Sequence, residues 1–212
     1  MYIAKHFELT TEQIADLLAN ATTAQVVGGY PEGPEATILP ISYVPDAGGG
    51  LGSILAHVTR TNPLWKREPI GDLLAIVSGP DAYISPTWFP SYPTAPEVPT
   101  WNYLAVHCRV QATLIDGAED KDALLKALIG DHEPAYAAQW RALGEDFARK
   151  MLAGIVAFEL RVLDLQCKLK LNQHRKESHA AMHAQYSQGT PDERALAAWM
   201  QRLGMAADTR EG

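Results

Sequence analysis

The chain is poor in the residues that build disulfide scaffolds, metal modules, membrane spans and polyanion-binding surfaces. It has two cysteines, Cys108 and Cys167, both in strand-like surroundings and without metal-ligand spacing. That excludes a disulfide framework and a zinc module, and it fits a reducing cytoplasm. Lysine and arginine (18) are outnumbered by aspartate and glutamate (25), for a formal net charge of -7. Such a balance disfavours the broad basic face that neutralises many phosphates, so a direct DNA contact is not expected, and small-molecule or protein partners are. No apolar run is long enough to cross a bilayer and the N-terminus has no signal-peptide core, so a soluble, cytoplasmic protein is expected. Repeats and low-complexity tracts are missing. So are a glycine-rich phosphate loop, a serine nucleophile elbow, a defensible helix-turn-helix signature and any His/Cys/carboxylate spacing for a catalytic metal. Hydrolase and kinase readings fail on those grounds, and no catalytic residue is assigned.

What is present is enough apolar material for one core: 212 residues, 47% hydrophobic. We expect a single domain over residues 1–212, with a helical extension from about 176 to 212. Thr10 or Thr11 caps a first helix with an Ile14, Leu17, Leu18 stripe. Strand patterns follow at Ala24–Val27, Thr37–Val44 and Leu51–Val58, the last two joined by a Pro45–Gly50 hairpin signal. Leu73–Ser78 and Asp81–Ser85 read as strands separated by a turn at Gly79-Pro80. Between Pro86 and Pro99, five prolines interleave with Trp88, Phe89 and Tyr92, which reads as an ordered arm.

The segment Thr100–Asp116 alternates over many residues. It places Asn102, Leu104, Val106, Cys108, Val110, Ala112 and Leu114 on one face, core apart from Asn102, and Trp101, Tyr103, His107, Arg109 and Gln111 on the other. Helices are expected at Asp120–Ile129, around Asp146–Leu152, and at Thr190–Leu203, the last with a Thr190/Glu193 capping box. Ile155–Val162 resumes a strand pattern that can extend to Lys170. Many short antiparallel-type strands with flanking helices point to a small barrel of mainly β, α+β class.

Two runs bring chemistry to strand ends. In His57-Val58-Thr59-Arg60-Thr61-Asn62-Pro63-Leu64-Trp65, a strand delivers His57 and Arg60 to a helix start with Asn62 as N-cap and Pro63 first in the helix. A guanidinium beside such a start suits a phosphate. In Gly79-Pro80-Asp81-Ala82-Tyr83-Ile84-Ser85-Pro86-Thr87-Trp88, polar groups end an apolar strand at what reads as a binding mouth.

These runs, with Met1-Tyr2-Ile3, Val98-Pro99-Thr100-Trp101-Asn102-Tyr103 and Lys168-Leu169-Lys170-Leu171-Asn172-Gln173, resemble the FMN-binding negative transcriptional regulator family of the PaiB type. The resemblance runs in order from Met1 to about Arg175. It implies an FMN-binding split β-barrel with flanking helices, a homodimer with FMN at the subunit interface, and flavin-linked regulation. A flavin-dependent oxidoreductase acting on a small molecule, or a haem-binding split-barrel protein, is the alternative. By the same resemblance the cofactor residues are His57, Arg60, Asn62, Tyr83, Ser85, Trp88, Thr100, Trp101, Asn102, Lys170, Gln173 and Arg175. Arg60 and the Asn62 helix start would take the phosphate, and Tyr83 and Ser85 would line the ring or ribityl pocket. Trp88 or Trp101 would stack on the ring, and Lys170, Gln173 and Arg175 would reach its pyrimidine edge or the phosphate. The chain departs from the family pattern at Ser78, Asn172 and His174.

Overall fold

The alternating segments pair into a barrel in the computed structural model, which describes residues 1–206. Six strands, β1 (Thr23–Tyr30), β2 (Gly33–Val44), β3 (Ser53–Thr59), β4 (Leu73–Ile84), β5 (Thr100–Ile115) and β6 (Ile155–Lys170), close in the order β1-β2-β3-β6-β5-β4. This is the mainly β split barrel expected. The β1–β2, β2–β3, β3–β6 and β1–β4 ladders are antiparallel, with Ala56 facing both Ile41 and Phe158. Six helices flank the strands among the described residues: α1 (Thr11–Ala19), α2 (Ala118–His132), α3 (Ala137–Ala142), α4 (Glu145–Ala153), α5 (His179–Ser187) and α6 (Pro191–Arg202). None is long and apolar enough to cross a membrane.

The chain divides into two compact units. One comprises Thr11–Val77 and His107–Gln166, holding α1 to α4, β1 to β3 and the adjoining parts of β4, β5 and β6. Its core is drawn from alternate strand positions such as Val26, Ile41, Ile54, Ala56, Val110 and Leu160, all buried. On the outer face of β3 and β6, Leu124 and Leu128 of α2 pack with Ala157, and Leu55 and Ile115 border that cluster. In the β2–β3 loop the Asp46 carboxylate accepts from the Gly48 and Gly50 N–H groups at 2.7 and 3.1 Å, which is why a Pro-Asp-Ala-Gly sequence turns here.

The other unit comprises Met1–Thr10, Ser78–Val106 and the chain from Cys167 on. Here α5 and α6 enclose Met182, Tyr186, Leu196 and Met200, each fully buried. Thr190 and Glu193 form the expected capping box of α6. Residues 207–212, the end of the expected helical extension, lie outside the described residues.

Three local expectations are corrected. Gly79-Pro80 is not a break between two strands: β4 runs through it, and its buried positions change from odd (Leu73, Ala75, Val77) to even (Ala82, Ile84). The pair shifts the phase of one strand, and glycine is needed because a Cβ there would lie 2.6 Å from Leu104 Cδ2. On β5 the core face ends at Val110; Ala112 and Leu114 are exposed, Leu114 at 51%. Finally, α2 continues past Gly130 to His132, because the tertiary seat of Leu124 and Leu128 overrides one unfavourable residue.

Candidate functional site

His57, Arg60 and Asn62 belong to the first unit. His57, on the outer register of β3 opposite Ala157, has a buried Nδ1 with no hydrogen-bond partner, and burial holds its pKa below the usual histidine value. Arg60 follows β3 and reaches the end of α4. Its Nε donates to Ala153 O at 2.8 Å and its Nη2 to Ile155 O at 3.1 Å, and Asp116 lies 3.5 Å away. Ala153 is the last residue of α4, so the guanidinium satisfies a carbonyl that the helix leaves without a partner. Asp116 in turn accepts from the buried Lys121 at 2.8 Å, and Trp65 Nε1 donates to Arg60 O at 3.0 Å.

Asn62 is an N-cap, as expected, and its side chain accepts from Leu64 N at 2.9 Å. The element it caps, however, is a single 3-10 turn over Pro63–Lys66 rather than an α-helix. Four residues carry little aligned dipole, and the N–H best placed to face an anion is already bound to the cap.

The remaining nine candidate residues lie in the second unit. Ser85 caps a 3-10 turn at Pro86–Trp88, accepting from Thr87 N at 3.2 Å. Trp88 packs edge-on against Tyr186 with ring centroids 5.6 Å apart. Asn102 is completely buried; its Nδ2 donates to Tyr186 Oη and Met182 Sδ, both at 3.2 Å, and its Oδ1 has no partner. Gln173 folds back on the end of β6, accepting from Leu171 N and donating to Leu169 O at 2.8 and 2.6 Å. The turn passes through Asn172 at φ 56°, a left-handed conformation that asparagine tolerates better than most residues. Arg175 donates to Glu177 at 2.5 Å and to Glu97 at 2.9 Å and lies over the Phe89 ring, so it anchors the proline-rich arm. That pairing holds the Glu97 carboxyl below the usual carboxylate range.

Tyr83, Thr100, Trp101 and Lys170 form a different kind of group. Trp101 and Tyr83 meet edge to face at 6.1 Å and remain 53% and 45% exposed. Beside them Lys170 Nζ donates to Thr100 Oγ1 at 2.5 Å and to Trp101 O at 2.8 Å. Burial lowers its pKa, and nearby Lys168 acts in the same direction. Lys168 itself stands over the rings of Tyr2, Phe7 and Tyr103 at 5.3 to 5.9 Å. The alternation of β5 and β6 therefore sets Trp101 and Tyr103 beside Lys168 and Lys170 as an aromatic and cationic ledge.

Tyr186, Met182 and Glu97, which seat Asn102, Trp88 and Arg175, escaped the sequence reading. The Met182/Tyr186 spacing of four residues, with buried His179 three before Met182, is the helical signal that points to α5.

The closed six-stranded barrel with flanking helices and this ledge define a split-barrel protein. Residues 1–164 match the family described as "Putative FMN-binding domain", and the chain belongs to that family. It is 32% identical over 183 residues to "Protease synthase and sporulation protein PAI 2" of Bacillus subtilis (strain 168), covering 84% of each chain. Among solved structures, the FAD and heme binding protein from Mycobacterium smegmatis superposes with a TM-score of 0.58 at 18% identity, covering 78% of this chain and 74% of that one. The flavocytochrome Anf3 from Azotobacter vinelandii gives a TM-score of 0.58 at 16% identity, covering 80% and 75%. These two structures share the fold.

Proposed function

We propose that the chain binds FMN at the Trp101–Lys170 ledge, as a homodimer, and acts as a flavin-linked cytoplasmic regulator. The observation that carries this reading is an ammonium with hydroxyl and carbonyl acceptors but no carboxylate partner among the described residues, set beside two exposed rings. Such a group suits a planar, electron-accepting heterocycle with a carbonyl edge: Trp101 offers a stacking face, and Lys170 keeps one N–H for the carbonyl. FMN, when bound, supplies reversible electron transfer, and this chain's residues hold and orient it. At Arg60 a phosphate would have to compete with Asp116, the longest of the three contacts that hold the guanidinium.

The exposed Tyr2, Tyr83, Val98 and Trp101 side chains favour burial against a second copy. Regulation rests on the family and on the name of the Bacillus subtilis relative. Helices α5 and α6 are joined by three residues, the length of a helix-turn-helix connection. The first turn of α6 nevertheless carries Asp192 and Glu193 where a DNA reader would meet phosphate, so the reading does not include direct DNA contact.

A visible spectrum and FMN titration on a sample of measured mass test the reading. Micromolar FMN binding by a dimer, weakened about tenfold by Trp101→Ala and by Lys170→Ala, is the expected result, and tenfold corresponds to about 1.4 kcal/mol. A protein that takes up neither FMN nor FAD overturns it. Bleaching of the bound flavin by NADH or NADPH moves the assignment to a flavin-dependent oxidoreductase.

A further inference from the structure

A cavity of about 620 Å³ opens at one end of the barrel within the first unit, and none of the twelve candidate cofactor residues lines it. Its floor consists of lumen-facing residues from five strands: Val26 of β1, Leu39 of β2, Leu73 of β4, Val110 of β5 and Leu160 of β6. The mouth is a loop held in place. Ile70 N donates to Gly29 O at 2.7 Å, and Arg67 stacks 3.9 Å over the Tyr30 ring while pairing with Glu32 and Glu35. Tyr30 in turn folds over Gly28, where a Cβ would come within 2.8 Å of its hydroxyl. Ala112 and Leu114, apolar residues that continue the core pattern of β5 yet stand exposed, border the same opening.

From this we infer that the barrel end is a preformed binding site for an uncharged, largely apolar molecule of up to three rings. The volume lies within the range of small-molecule sites. The charge pattern selects against an anionic guest: of the charged lining residues, Arg67 is matched by Glu32 and Glu35, Asp72 by Arg109 at 2.6 Å, and Lys66 stands over the Trp65 ring. Glu68 leaves no cationic excess to attract an anion. Apolar side chains exposed at Ala112 and Leu114 gain from contact with such a guest, since apolar area removed from water is favourable at about 25 cal/mol per Å².

The probe is N-phenyl-1-naphthylamine, a neutral two-part aromatic that fluoresces when removed from water, titrated into the full chain with and without saturating FMN. One saturable site per chain is expected. Its affinity should fall at least tenfold in Ala112→Trp, which blocks the mouth from a position exposed on β5, and in Val110→Phe, which fills the floor. Ala112→Trp guards against misfolding of the buried variant, and its thermal midpoint should match that of the parent. Probe binding that does not saturate, that is unchanged in a folded Ala112→Trp, or that FMN displaces competitively would overturn the inference. The first two outcomes leave FMN binding at the ledge untouched, whereas competitive displacement would place FMN in this cavity instead.

Discussion

Residues with the same motif status have different tasks. Arg60 closes α4 by binding its terminal carbonyl, and Asn102 is a fully buried amide that holds Tyr186. Replacing Arg60 with alanine leaves the Ala153 and Ile155 carbonyls without their donor and should lower stability by about 1–2 kcal/mol, read as the midpoint of urea unfolding. A variant as stable as the parent would refute the capping role. Asn102→Leu removes the donor to Tyr186 Oη but also the orphaned Oδ1, whereas Asn102→Asp keeps an acceptor and adds a buried charge. The aspartate variant should therefore be the less stable of the two, by about 1–3 kcal/mol, in thermal melts at pH 8. The residue types were plain in the sequence. Which of them face a ligand was not, because an arginine binds a helix carbonyl and a phosphate with the same donors.

At the scale of elements, alternation and capping were legible and strand continuity was not. Thr190 and Glu193 announced α6, since a capping box is a contact among four consecutive residues. Thr190→Ala should cost about 1 kcal/mol and reduce helical ellipticity at the transition edge of a melt. The phase change in β4 could not be read locally. A glycine and a proline in sequence look like a turn, and only Leu104, packed where a Cβ would stand, makes them part of one strand. Gly79→Ala should then destabilise by about 1–3 kcal/mol, and Leu104→Ala in the same chain should recover part of that loss as the clash is relieved. Additive losses in the double variant would show that the glycine serves something other than Leu104.

Across the whole molecule, stability should decline as the medium is acidified, in two windows. Burial holds His57, His107 and His174 below the ordinary histidine value of about 6.5 in the folded state. The unfolded chain therefore binds more protons near that value, so the stabilisation is complete above pH 6.5 and is lost as pH falls below it. A second loss follows in the carboxylate range. Hydrogen bonds and charge from Arg175 hold Glu97 and Glu177 low, and Lys121 with Arg60 does the same for Asp116. Denaturant midpoints measured from pH 8 to pH 3 at constant ionic strength should show both declines. A midpoint that rises between pH 7 and pH 5 would contradict the lowered values of these three histidines.

The sequence by itself determined the class of the protein: a mainly β chain with an apolar face on nearly every alternating segment, an acidic surface, no membrane-length helix among the described residues, and the motif order of an FMN-binding family. Those properties depend on short-range periodicity and composition, which hold wherever the strands end up. Only the tertiary structure decided that Asn102, Gln173 and Arg175 hydrogen-bond to Tyr186, Leu169 and Glu97, that Trp101 and Lys170 share a ledge, and that the barrel end opens at Ala112 and Leu114. Each of these depends on which strand lies next to which. Strand neighbours such as β3 and β6 are set by burial summed over the whole chain, and no window of neighbouring residues contains that information.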